Sequence, residues 1–231
     1  MDVGLYIAAQ GMLAEQVRQD QLANDLANAS TPGYKSDTSV QQSFGALLMS
    51  NNVTGAPIGT IDEGVRISKE VTDMAPAALE ATGDPLDFAI AGTGFFAVKT
   101  AQGIQYTRNG QFSANNQGLL VDQFGDEVLS QSGAPIQVGA DGKVPASALG
   151  VFNVPNAQKL GNNNFSGASA GKATGTVEAG QLEGSGVDPI DTLVDMTASL
   201  QAYQAGQQTI QTINQTMQES SSTVGSIAAG A

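Results

Sequence analysis

The feature that most constrains this chain is a ladder near its C-terminal end. Met196, Tyr203, Ile210, Met217 and Val224 recur every seven residues, with Leu193, Leu200, Gln207, Asn214 and Ser221 as a companion ladder. Apolar residues at heptad spacing keep one stripe of a long helix facing a partner. Asp188-Pro189 supplies an N-cap followed by proline at the first helical position, and Asp191 places a carboxylate in the first turn, where the helix dipole favours it. Roughly 35 helical residues at about 1.5 Å each would span about 50 Å, more than a small globular domain needs. The outer faces carry Gln, Ser, Thr and Ala with Gly206 inside and no Glu–Lys pairs, so this helix is expected to order only against partners.

The N-terminal segment repeats the pattern more weakly. Leu5, Met12, Gln19 and Leu26 form one track, with Ala8, Glu15 and Leu22 between them. It stops at Ser30-Thr31-Pro32-Gly33, where Pro and Gly end a helix and open a turn. This helix is the shorter, so pairing within one chain leaves part of the longer ladder uncovered and in need of another subunit. Asn24 and Asn28 lie at i,i+4 spacing, where buried amides would fix register between neighbours.

Between the ends, hydrophobic periodicity changes from helix to strand. Residues 88–91, 95–98, 104–107, 119–121 and 136–138 are short strand candidates, punctuated by Gly92-Thr93-Gly94, Asn109-Gly110 and Asp141-Gly142. Their close spacing implies antiparallel hairpins. The expected class is α+β: N- and C-terminal helices forming a coiled-coil-like core, with a central antiparallel β domain on extended connectors. The divisions are 1–34 for the N-terminal helix, 35–83 for an extended connector, 84–172 for the β domain, 173–188 for the return connector and 189–231 for the C-terminal helix.

Chemistry is restricted by what is missing. The sequence has neither His nor Cys, which removes the commonest general base, the commonest metal ligand and every disulfide. Asp122-Gln123-Phe124-Gly125-Asp126-Glu127 has oxygen ligands but not the spacing of a calcium loop, and Gly92-Thr93-Gly94 lacks the third glycine of a dinucleotide site. Asp84 and Asp87 have no accompanying substrate-reading aromatic cluster. No catalytic, cofactor or metal role is expected. A net charge of −13 opposes nucleic acid and anionic lipid, and no apolar run is long enough for a secretory signal or a membrane span.

Three stretches carry a resemblance. Leu22-Ala23-Asn24-Asp25-Leu26-Ala27-Asn28-Ala29-Ser30-Thr31-Pro32-Gly33-Tyr34-Lys35 closely resembles the N-terminal signature of flagellar basal-body rod and hook proteins. Asp84-Pro85-Leu86-Asp87-Phe88-Ala89-Ile90 through Gly94-Phe95-Phe96 to Tyr106-Thr107-Arg108-Asn109-Gly110 is similar to that family's central β signature. Gly180-Gln181-Leu182-Glu183-Gly184-Ser185-Gly186-Val187-Asp188 is similar to the turn before its C-terminal helix. Gln201 stands where the family often has Arg, which removes a charged contact expected there.

The resemblance implies a proximal or distal rod subunit, exported uncleaved by the flagellar type III apparatus and assembled helically where the rod crosses the periplasm or cell wall. Its partners would be copies of itself and other rod or hook subunits, without nucleic acid or direct membrane insertion. The residues expected at subunit interfaces are Leu5, Met12, Leu22, Asn24, Leu26, Asn28, Tyr34, Leu193, Met196, Leu200, Tyr203, Ile210, Asn214, Met217 and Val224. A competing reading from the helix–β–helix order is a trimeric coiled-coil fibre or adhesive module with a β head.

Overall fold

The computed structural model describes residues 3–43, 46–50, 57–62 and 65–229, with side chains described for residues 4–40 and 70–222. The chain divides into two compact units. One comprises Met1–Leu26, Asp37–Val71 and Pro189–Ala231, the other Ala27–Ser36 and Thr72–Asp188.

The first unit contains the helices α1 (Val3–Ala27) and α2 (Pro189–Ala229). Helix α2 begins at the proline that follows Asp188, as the capping pattern predicts. Helix α1 ends before the Pro-Gly turn, where Thr31 N–H donates to Asn28 O and Tyr34 N–H to Thr31 O. The same unit holds β1 (Asp37–Ser43) paired with β4 (Val65–Thr72), and β2 (Ala46–Ser50) paired antiparallel with β3 (Pro57–Asp62). The stretch 35–83, expected as an extended connector, thus carries nested strand pairs. Its signal was present: Val65, Ile67 and Val71 fall on one side of a period-two pattern. Surrounding Gly, Ser and Asn obscured it.

The second unit is built on a seven-stranded antiparallel sheet. Its members are β7 (Phe96–Thr100), β8 (Gly103–Thr107), β9 (Ser113–Ala114), β10 (Leu120–Val121), β11 (Glu127–Leu129), β12 (Gln158–Lys159) and β13 (Asn164–Ser166), in the order β12-β13-β8-β7-β11-β10-β9. Two smaller pairs join it: β6 (Phe88–Ala91) with β14 (Thr176–Ala179), and β5 (Leu79–Ala81) with β15 (Gln181–Glu183). The return segment is therefore paired into the β unit as strands. Residues 136–138 contribute an isolated bridge, Leu119 with Gln137, instead of a strand.

Strand β7 explains why this unit is stable despite a chain that is only 5% aromatic. Side chains alternate across a strand, so Phe96 and Val98 enter a cluster with Phe88, Phe112 and Leu120. Ala97 enters the opposite cluster with Phe95, Tyr106 and Phe165. Both faces are buried. Five of the eight Phe residues lie in these two clusters, so the aromatic content is concentrated in one unit.

Candidate functional site

In the first unit, the less exposed positions among the described side chains of α2 are Thr192, Met196, Ser199, Tyr203, Gly206, Ile210 and Ile213. Successive spacings alternate between four and three residues, which is a heptad seam. Ser199, 1% exposed, donates from Oγ to Glu15 Oε2 at 2.7 Å and to Glu15 O at 3.3 Å. Further along, the Met12 side chain fills the space that a Cβ on Gly206 would take. Numbers fall along α1 as they rise along α2, so the helices run antiparallel.

One track of this seam is the expected one, Met196, Tyr203 and Ile210. The other is Thr192, Ser199, Gly206 and Ile213, a residue away from the companion ladder read from sequence. Leu193 is 49% and Leu200 46% exposed, and Asn214 and Met217 are exposed as well. Hydrophobicity favoured the leucines, but helices that approach closely need small residues between them. On α1, Leu5, Met12, Leu22 and Leu26 are half-buried and Asn24 is exposed. The side chain of Val224 lies outside the described residues.

Beside the seam, Gly4, Ile7, Ala8, Gly11, Met12, Ala14 and Glu15 of α1 and Ala202, Gly206 and Thr209 of α2 line an open groove of about 430 Å³. The exposed large hydrophobic residues of α2 are Ile190, Leu193, Val194 and Leu200 near its start and Met217 further along.

The second unit contains a buried ionic junction. Lys35 Nζ donates to Glu183 Oε1 at 2.7 Å and to Ala75 O at 2.6 Å. Arg108 donates from one guanidinium nitrogen to Glu183 Oε2 at 3.1 Å and from another to Gly92 O at 3.0 Å, and it lies over the Phe95 ring. Ala77 N–H adds a third donor to the carboxylate. Around this core, Gly33 N–H donates to Glu183 O, Gly186 N–H to Tyr34 O, and Ser185 Oγ to Asn28 O. Tyr34, 3% exposed, lies beneath the Lys159 ammonium, which also donates to Lys35 O. The segment after α1 and the segment before α2 are thereby held side by side.

Sequence reading singled out none of Lys35, Arg108 and Glu183. Each nevertheless sits within one of the three signature stretches, where a charged residue close to a glycine was the available signal. Asn28, read as a bridge between subunits, has its side-chain oxygen bonded by Thr31 Oγ1 at 3.2 Å. Asp122, in the acidic loop, uses Oδ1 to accept the backbone N–H groups of Phe124 and Asp126 and so closes the β10–β11 turn. Among the described residues no helix is long and apolar enough to cross a membrane.

Three family profiles match these same regions. Residues 5–35 match "Flagella basal body rod protein", residues 89–158 match "Flagellar hook protein FlgE/F/G D1 domain", and residues 178–223 match "Flagellar basal body rod FlgEFG protein C-terminal". The flagellar basal-body rod protein FlgG of Bacillus subtilis is 30% identical over 254 aligned positions, covering 93% of this chain and 96% of that protein. The chain belongs to the flagellar basal-body rod protein family. The rod protein FlgF of Caulobacter vibrioides is 29% identical, covering 89% of this chain and 91% of its own length. The hook-basal body complex protein FlhO of Bacillus subtilis is 27% identical, covering 97% of this chain and 99% of its own length. In this rod-family chain each matched region supplies one member of the ionic junction: Lys35, Arg108 and Glu183 in turn.

Proposed function

We propose that this chain is a structural subunit of the bacterial flagellar basal-body rod. It polymerises helically through its terminal helices, which form a coiled-coil-like inner core, and so transmits torque from motor to hook. The observation that carries this reading is the length of α2. Extending the contacts of Glu15 with Ser199 and Met12 with Gly206 puts the start of α1 opposite the region of Ile213. Residues 214–222 are all exposed. A polar helical overhang of that kind is marginal in water and gains its stability from packing.

Family membership supports the same reading, with other rod and hook subunits as further neighbours. Export through the flagellar type III apparatus without a cleaved signal is part of the same proposal. Torque passes through many weak contacts per subunit, each of which need not be strong. The expected interface residues Leu193, Leu200, Asn214 and Met217 are exposed, as assembly requires, whereas Tyr34 acts within its own chain as the aromatic support of the junction.

The test is Ile210→Asp in a flagellated host depending on this chain. The expected result is loss of rod assembly and motility with the β unit still folded by circular dichroism. Normal rods from this variant would remove the seam from the assembly. Sedimentation of the purified wild-type chain as a sharp, closed trimer would favour the fibre reading instead.

A further inference from the structure

The hairpin of β12 and β13 reaches over the segment that follows α1, and its contacts there lie inside one unit. Gly161-Asn162-Asn163-Asn164 is its turn, closed by Asn164 N–H donating to Gly161 O at 3.3 Å. Asn162 and Asn163 have φ 61° and 59°, the two left-handed positions of a type I′ turn. Glycine suits the second of these best, with asparagine the tolerated substitute. Asn163 uses its side chain elsewhere: Nδ2 donates to Pro32 O at 3.1 Å, while its backbone carbonyl accepts from Thr107 Oγ1 at 3.2 Å. Its Oδ1 is buried with no hydrogen-bond partner, a cost that glycine would not incur. The residue thus serves the reach to Pro32 rather than the turn.

Lys159 makes the second attachment. Strand β12 is the edge of the seven-stranded sheet, where a lysine ordinarily keeps its charge in water and blocks further pairing. Here the ammonium lies 3.9 Å from the centroid of the Tyr34 ring and donates to Lys35 O at 2.7 Å. Edge protection does not explain a charge folded back onto its own chain. Tyr34 and Lys35 beneath it are buried.

Residues 158–163 are anchored at both ends. Ala157 packs against the cluster of Phe95, Tyr106 and Phe165, and Phe165 itself is fully buried. Between these anchors β12 pairs with β13, Gln158 opposite Ser166 and Lys159 opposite Phe165. Because β12 stands at the edge, lifting it leaves the other strand pairs of the sheet in place.

We infer that residues 158–163 form a strap that shuts over Tyr34 and Lys35 through Lys159 and Asn163, and that opens without unfolding the sheet beneath. Shut, it holds residues 31–35 and keeps water from the Lys35–Glu183 pair. Open, it frees that segment, so the strap sets the stiffness of the stretch leading out of α1. The device goes beyond the rod reading and does not depend on it, because every contact lies within one chain.

The test is amide hydrogen exchange of the full chain, read by mass spectrometry on peptides covering residues 31–35, 158–163 and β7. In the wild type, residues 158–163 are expected to exchange at least tenfold faster than β7, the mark of opening below global unfolding. Lys159→Met keeps the apolar stem and removes the ammonium, and Asn163→Gly improves the turn and removes the amide. Each should speed exchange at Gly33 and Tyr34 at least tenfold with β7 unchanged, whereas Lys159→Arg, which keeps a cation over the ring, should stay within about threefold of the wild type. A hairpin that matters only as a turn predicts the opposite for Asn163→Gly, namely equal or slower exchange, and that result would overturn the inference. So would wild-type exchange at residues 33–34 in Lys159→Met, or acceleration of β7 in step with the strap in both variants, since opening would then be unfolding of the whole sheet.

Discussion

Lys35 Nζ and Glu183 Oε1 lie 2.7 Å apart across 148 residues of sequence, with both side chains withdrawn from solvent. Arg108 shares the same carboxylate. One anion thus serves two buried cations, assisted by the Ala75 and Gly92 carbonyls. Removing it is the most damaging single change to this junction.

Glu183→Ala should lower the stability of the β unit by about 3–5 kcal/mol, because two buried charges lose their partner. Lys35→Met should cost less, since Arg108 continues to pair Glu183. Urea unfolding followed by tyrosine fluorescence checks the order, as Tyr34 and Tyr106 both lie within this unit. Equal losses for the two variants would show that the carboxylate is not the hub.

Gly33 has φ +65°, and a Cβ there would overlap the backbone of Arg108. Gly33→Ala combines left-handed strain with a contact that cannot relax, at a cost of about 1–3 kcal/mol for the strain alone. It should also loosen the Gly33 N–H to Glu183 O bond. Faster amide exchange at residues 33–35, with that of β7 little changed, is the expected signature.

Ser199 tests the helix seam. Ser199→Ala removes the hydrogen bond to Glu15 and should cost about 1.5 kcal/mol, partly offset by alanine's better helix propensity. Ser199→Leu is more apolar yet should be worse, because the helices approach too closely there for a large side chain. Helicity and assembly of the two variants, measured side by side, distinguish a small-residue seam from a generic hydrophobic one. A leucine variant that assembled better than wild type would reverse this view.

Protonation of Asp126 should register in stability. Burial, and secondarily the charge of Asp122, raise its pKa above the ordinary 3.8. Between 3.8 and the raised value the folded chain holds a proton that the unfolded chain has lost, so stability falls as pH rises through that window. The penalty is complete above the folded pKa and disappears as pH falls below 3.8. Asp126→Asn should therefore raise stability at neutral pH slightly, by about 0.5 kcal/mol or less at this partly exposed site. The gain should vanish near pH 3, which thermal melts at both pH values would show.

Local signals determined the elements of this protein that depend on near neighbours. The heptad ladder, the Asp188-Pro189 start and the Pro32-Gly33 stop define the terminal helices because periodicity and capping act within a few residues. The alternation around Phe95 to Val98 marks a two-faced strand for the same reason. The absence of His and Cys narrowed the available chemistry without any reference to shape. What the sequence could not decide is which of two adjacent heptad tracks turns inward. Leu193 and Leu200 are the more hydrophobic, but Ser199 and Gly206 are the smaller, and close helix approach selected size. Nor could composition reveal that Lys35, Arg108 and Glu183 meet, because a buried ion network is set by backbone paths 75 and 148 residues long. Tertiary structure settled both points, since close packing and the desolvation of charge depend on groups that approach only after the chain has folded.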